Sequence, residues 1–578
     1  MYSTFKVKKQ TGTYSDAIEA FGLANLLNEI QSRAQLTHRK IWIEDKGLYY
    51  ELTSKPEINV NHIDELKYFP FFKYVTRNTS ETFDEDYFDY PKQRELKKER
   101  TALIQKAYSE FAGKEKAVQL KDRLKAIEKI YTDDKYISPQ LDVYSQIITP
   151  NNFVGFDKLY KNISLNKEVF PDIVKAILNY YSEKKIELSI KSLVSFDNAV
   201  TALQFYNPNT GKGLNKSKAS GGSTGSIKLN WIGETMKISG AITNMLCQLV
   251  KVGSSYDLKV VVPDFRKVEY TKQEQIVLGF KKNIKGNTPL KVDILNLLIV
   301  IKQLIVFTDE YKNFKAKNVL NGLNSTYQKD LGQNKAVVNI AELQTPKFIE
   351  FNTEDEAKDW EELLNEQINI IGTIEELGSA TQGLIAYRTF LTSSHFPSWA
   401  KFIFWYSEYI MSRFSKSKYS IPFKISSLNK LLNNTTMNDF KISEIITNDG
   451  FQKVASAIRN STVILQGAKS RGQKIEFEIR YGVAQELQNK SRTKADLAVF
   501  IGDFIGTYNA ETARKAEINK AYRKPVRDNE LNQFYEILDN HPPKVVGALL
   551  ASYGFALTEK EKTIQTEDSD FIDELTKD

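Results

Sequence analysis

At 578 residues, and with roughly 150 residues to a domain, the chain has room for about three or four structural units, each able to bury a core. Lysine and arginine number 80 against 72 aspartate and glutamate, a formal charge of +8 with a pI near 8.9, so nucleic acid is admissible as a partner without being demanded. A single cysteine, Cys247, and four histidines, His38, His62, His395 and His541, are too few for a disulfide framework, a zinc ribbon, an HExxH site or a Cys-His nucleophile. Enzymatic chemistry is not expected, nor any cofactor or metal. A mean hydropathy of -0.41 with 12% aromatic residues is that of an ordinary globular protein. The first residues, MYSTFKVKKQTGTYS, carry no apolar run of the signal-peptide kind, and the most apolar stretch, VDILNLLIVIKQLIVF, is broken by Asp293, Asn296, Lys302 and Gln303; a cytoplasmic protein with no membrane segment is expected.

In chain order, DAIEAFGLANLLNEIQ places Ile18, Phe21, Leu23, Leu26, Leu27 and Ile30 near helical spacing, which predicts an amphipathic helix. KIWIEDKGLYYELTS then sets two β-prone runs about the turn signal Asp45-Lys46-Gly47, which predicts a hairpin. From Pro91 to Lys129 the charge is dense and the apolar stripes narrow, as in a solvated helical hairpin or a basic arm on a phosphate backbone. Loop and helix alternate up to about residue 205. LNWIGETMKISGAITNMLCQL is expected to be helical, with Cys247 as a small buried apolar residue. LKVVVP, KAVVNIAEL and KFIEFNT read as strands, and 292–307 as a buried helix. Residues 356–436 turn helical and aromatic, with Phe396, Trp399, Phe402, Phe404, Trp405, Tyr406 and Tyr409 more naturally core than a base-stacking platform. Beyond 437, stripes at Phe451, Val454, Ile458 and Leu465, at Ile475, Ile479, Val483 and Leu487, and at Leu497, Phe500, Ile501, Phe504, Ile505 and Tyr508 predict a bundle of about five helices. NELNQFYEILD and the Pro542-Pro543 start of KVVGALLASYGFA supply its last two.

The least ordinary stretch is Asn207 to Lys228, NPNTGKGLNKSKASGGSTGSIK, with five glycines, four lysines and no acidic residue over 22 positions. It is not a P-loop: GxxxxGK[ST] is absent, Lys212 is followed by Gly213, and no serine or threonine stands where Mg²⁺ would need one. What remains is a segment whose cations and backbone can approach a polyanion, or a plain surface loop. In the helical region Arg459, Lys469, Arg471, Lys474, Arg480, Arg492, Lys494, Arg514, Lys515, Arg523 and Lys524 lie mostly off the apolar stripes. A solvated face explains most such charges, and sequence does not show how they sort in space. The carboxylates Glu354, Asp355 and Glu356 are tied to no histidine and make a weak ligand set.

Two motifs combine. NPNTGKGLNKSKA at 207–219, followed by Trp231, and EIRYGVAQELQNK at 478–490, followed by FIGDFIGTYNAETAR, resemble the large subunit of type I CRISPR interference complexes (Cascade); AFGLANLL is looser support. The resemblance implies an α+β protein, a mixed α/β body followed by an all-α bundle like the small subunit of the complex. The expected units are 1–130, an α/β unit with the charged hairpin; 131–355, a central domain carrying the Gly/Lys-rich loop; 356–436, an aromatic helical connector; 437–557, the bundle; and 558–578, an acidic tail. It also implies a noncatalytic subunit that binds the 5′ end of a guide RNA, recognises a short protospacer-adjacent motif in target DNA, helps open the duplex and recruits a separate helicase-nuclease. Backbone, guide-handle-binding and small subunits would be its neighbours. Asn207, Asn209, Lys212, Asn215, Lys216, Lys218 and Lys228 would meet guide or target near that motif, and the bundle cations would track the displaced strand. Met437 could start a free small-subunit-like fragment, as in some relatives. An RNA-binding scaffold without motif recognition is the alternative, and a nucleotide-dependent enzyme a more distant one.

Overall fold

The turn at Asp45-Lys46-Gly47 is built as the sequence suggests. Gly47 takes a φ of +84°, its N–H donates to Asp45 Oδ1 at 2.8 Å, and strands Lys40–Asp45 and Tyr49–Ile58 pair antiparallel around it. The computed structural model describes residues 2–78, 86–111, 117–183, 199–201, 203–210, 228–330, 335–433, 440–519 and 522–558. The fold is α+β and divides into two units. The first comprises Met1–Pro289, Ile299–Glu310 and Ala316–Thr345, the second Leu290–Leu298, Tyr311–Lys315 and Pro346–Asp578.

In the first unit the hairpin is flanked by Tyr2–Lys8 on one side and by Lys267–Glu269 on the other, giving a four-stranded sheet. A strand from residues 267–269 completing the N-terminal sheet means that no break falls at the expected boundary near 130. The second sheet runs in the order 335–344, 320–330, Ser255–Phe265, Leu246–Val252, all antiparallel. Cys247 therefore lies on a strand, not on a continuation of the preceding helix, and is buried there. KFIEFNT contributes only the two-residue strand Glu350–Phe351, in the second unit.

The helix Tyr14–Arg33 begins at Thr13, whose side chain accepts from Ser15 N, and at Asp16, whose carboxylate accepts from the N–H groups of Gln10, Thr11 and Gly12. The Thr13 side chain satisfies a donor that the helix start leaves open, and Asp16 ties down the turn that leads into it. The helix is buried nearly all round rather than on one stripe, because the helix Trp231–Asn244 covers its outer side. Glycine permits that approach: a Cβ on Gly22 would stand 1.8 Å from Met236 O, and one on Gly240 1.7 Å from Ile18 O. Helices Tyr90–Glu110 and Ala117–Asp133 form the charged hairpin.

In the second unit, helices Glu354–Thr373, Ser379–Ser393 and Phe396–Ser415 build an aromatic core. Trp399, Phe402, Phe404 and Tyr406 are buried, Phe402 and Tyr406 stack at 5.3 Å, and Trp399 Nε1 donates to Ser552 Oγ at 3.1 Å. That bond joins the aromatic helices to Pro543–Gly554, so the expected boundary at 436 is not a break either. Beyond 440 the described residues hold seven helices, Ile442–Ile446, Asp449–Ser461, Val463–Ser470, Val483–Lys490, Lys494–Asn519, Asp528–Asn540 and Pro543–Gly554. Ile475 and Ile479 are not on a helix. Gly482, at φ +78°, starts Val483–Lys490, and residues 471–480 form an irregular strap before it. Met437 and the acidic tail from 559 lie outside the described residues.

Candidate nucleic-acid interface

Of the residues expected around the Gly/Lys-rich segment, Lys212, Asn215, Lys216 and Lys218 lie outside the described residues, while Asn209 and Lys228 are exposed. Asn207 is not a surface contact. Its amide donates to Leu203 O at 3.0 Å and to the two Glu234 oxygens at 3.1 and 2.9 Å, and its Oδ1 accepts from Lys237 Nζ at 2.8 Å and Ser15 Oγ at 3.2 Å. A side chain committed in this way has no group left for a base or phosphate, and the expectation is corrected: Asn207 is part of the frame.

Glu234 is wholly inaccessible. A carboxylate there needs a partner charge and filled lone pairs, and Lys237 Nζ at 2.9 Å and the Asn207 amide supply both. Lys237 also faces Glu19 at 3.8 Å, which accepts from the Tyr181 hydroxyl at 2.9 Å. Burial pushes the Glu19 carboxyl above its ordinary range, with Lys237 opposing. Burial alone would lower the Lys237 ammonium, but Glu234 and Glu19 outweigh it and raise it. On the far side of the segment, Lys228–Asn230 pairs with Ala199–Thr201, and Asn230 caps the Trp231–Asn244 helix by accepting from Ile232 N at 2.8 Å. Both flanks of the segment are thus tied to one buried charged frame.

In the helical region Lys469, Arg471, Lys474, Arg492, Lys494, Arg514 and Lys524 are exposed, and Arg480 and Lys515 half-buried. Arg459 and Arg523 are buried and are corrected in the same way as Asn207. The Arg523 guanidinium lies over Tyr508 at 3.8 Å and Phe477 at 4.2 Å and pairs with Glu511 at 2.8 Å. Arg480 reaches the same carboxylate oxygen at 3.6 Å, and Glu511 Oε1 accepts from Glu478 N at 2.7 Å. Arg514 stands 4.0 Å from Glu478. The geometry brings Arg480, Arg514 and Arg523 together where the 471–480 strap lies along the Lys494–Asn519 helix, while Lys474 pairs with Glu476 at 2.9 Å. Lys494, by contrast, meets Asp539 O.

Sequence reasoning missed Glu511, the carboxylate that joins strap to helix, and two exposed rings, Tyr481 and Tyr522. The available signal was that each tyrosine adjoins an arginine, in Arg480-Tyr481 and Tyr522-Arg523. Among the described residues no group of histidine, cysteine, aspartate and glutamate is arranged to hold a metal, and no helix is long and apolar enough to cross a membrane. No family model matches the chain, and no curated protein matches it.

Proposed function

We propose that this chain is the noncatalytic large subunit of an RNA-guided type I CRISPR surveillance complex. In this role it binds the 5′ end of the guide, recognises a short motif in duplex target DNA, helps to open it, holds the displaced strand and leaves cleavage to a recruited helicase-nuclease, in the cytoplasm. The observation that carries the reading is a glycine- and lysine-rich segment, free of carboxylates over 22 positions, whose flanks are held together by the Asn207–Glu234 contact. Backbone and lysines on such a mount suit close approach to phosphates, while guide pairing supplies sequence recognition. The α+β body followed by a helical region with clustered cations supports the same reading.

The test is binding of the assembled complex to target duplexes whose flanking base pairs are randomised. Enrichment of one short motif is expected, and loss of that enrichment with weaker binding in the Lys212→Ala, Lys216→Ala, Lys218→Ala variant. The slope of log K against log salt should fall by about 0.9 for each duplex phosphate contact removed. Guide-dependent binding with no motif preference would favour the RNA-binding scaffold instead.

A further inference from the structure

The segments 466–482 and 508–527 carry ten basic residues against four acidic ones. Two of the cations, Arg480 and Arg523, share the single carboxylate of Glu511 and Lys474 pairs with Glu476 at 2.9 Å, while Lys469, Arg471 and Lys524 are turned toward solvent. Beside each of these two arginines the chain exposes a large ring: Tyr481 is 58% accessible and Tyr522 70%. They are among the most exposed rings of the described residues, whereas Tyr508, on the neighbouring helix, is packed. Neither ring is loose by construction. The Tyr481 hydroxyl donates to Gln466 Oε1 at 2.9 Å, and Tyr522 precedes an arginine clamped between Phe477 and Tyr508.

We propose that Tyr481 and Tyr522 are base-stacking platforms for single-stranded DNA, set among cations that follow its phosphates. Every base has a π-face, so such a surface grips a strand without reading its sequence. The inference rests on the proposed function, in which a displaced strand must be held, and adds the residues that hold its bases rather than its backbone.

The test uses the purified full chain and fluorescence anisotropy with a 16-nucleotide oligo-dT, an abasic strand of the same length, and oligo-U. Stacking is worth about 1–3 kcal/mol per base, at least about fivefold in affinity for each ring. The double variant Tyr481→Ala, Tyr522→Ala should therefore lose ten-fold or more toward oligo-dT, keep its salt slope, and leave abasic binding unchanged. Tyr481→Phe with Tyr522→Phe should restore wild-type affinity, which a role confined to hydroxyl hydrogen bonds would not. Equal binding of oligo-dT by wild type and the alanine variant, equal binding of abasic and base-bearing strands by wild type, no binding of oligo-dT at all, or a marked preference for oligo-U would each overturn the proposal. Because no guide is involved, failure here is separate from failure of the chain to carry a guide RNA.

Discussion

Asn207 and Glu234, 27 residues apart, meet inside the first unit, where the Asn207 amide reaches both carboxylate oxygens at 3.1 and 2.9 Å. One residue precedes the lysine-rich segment and the other follows it, so a contact that looks like core architecture also fixes where that segment leaves the body. Removing the carboxylate leaves Lys237 buried with Glu19 at 3.8 Å as its remaining salt-bridge partner. Glu234→Ala is expected to lose about 3–5 kcal/mol in urea unfolding, the range for a buried pair deprived of one member, and Glu234→Gln clearly less. An alanine variant as stable as wild type would show that the network contributes nothing.

Gly22 and Gly240 give a prediction with an internal control. A methyl group at either would press on a backbone carbonyl across the helix crossing, at 1.8 and 1.7 Å, and backbone has little room to yield. Gly22→Ala and Gly240→Ala should each cost about 3 kcal/mol. Gly506, on the Lys494–Asn519 helix, has nothing within 4 Å of the added atom, so Gly506→Ala should stabilise by about 0.5–1 kcal/mol through helix propensity alone. Thermal unfolding of the three variants checks both signs.

Lys281 predicts a pH dependence. Burial pushes its ammonium down from 10.5 to about 8, although it donates to Ile242 O at 2.9 Å. Below about pH 8 the lysine is charged in both states, and the folded state bears the full cost of burying it. Between about 8 and 10.5 the unfolded chain still holds the proton that the folded chain has released, so stability rises with pH. Lys281→Met should therefore be more stable than wild type at pH 7, by up to about 3 kcal/mol, with the gain shrinking toward pH 10. A gain that does not change with pH would contradict this account.

Glu511 organises the strap. With Arg523 at 2.8 Å, Arg480 at 3.6 Å and the Glu478 N–H at 2.7 Å on one buried carboxylate, Glu511→Ala strands a buried guanidinium. A loss of about 3 kcal/mol is expected, with faster hydrogen exchange through 471–481 than in wild type; unchanged exchange there would mean that the strap is held by its apolar residues alone.

The parts of the fold that were legible in the sequence are those governed by local chemistry. The Asp45-Lys46-Gly47 turn, the apolar helix from Pro289 to Val306 and the prolines opening Pro543–Gly554 each follow from a few adjacent residues. Ile475 and Ile479 misled because their spacing suits a helix, while Gly482 at φ +78° and the anchoring of Arg480 N on Ser461 O at 2.8 Å go with an irregular, non-helical path there. Cys247 misled because LNWIGETMKISGAITN continues smoothly into a strand whose pairing with Ser255–Phe265 is a tertiary fact. The charged site residues were the least legible. Asn207, Arg459 and Arg523 look like their exposed neighbours in sequence, and only packing separates a cation that greets a ligand from one that balances Glu511.

The central claim is most directly tested by purifying the chain from cells that express its whole gene neighbourhood and sequencing any RNA that comes with it. The account predicts guides of uniform length flanked by repeat sequence, bound together with backbone and guide-handle-binding subunits. A chain recovered as a nucleic-acid-free monomer would contradict it.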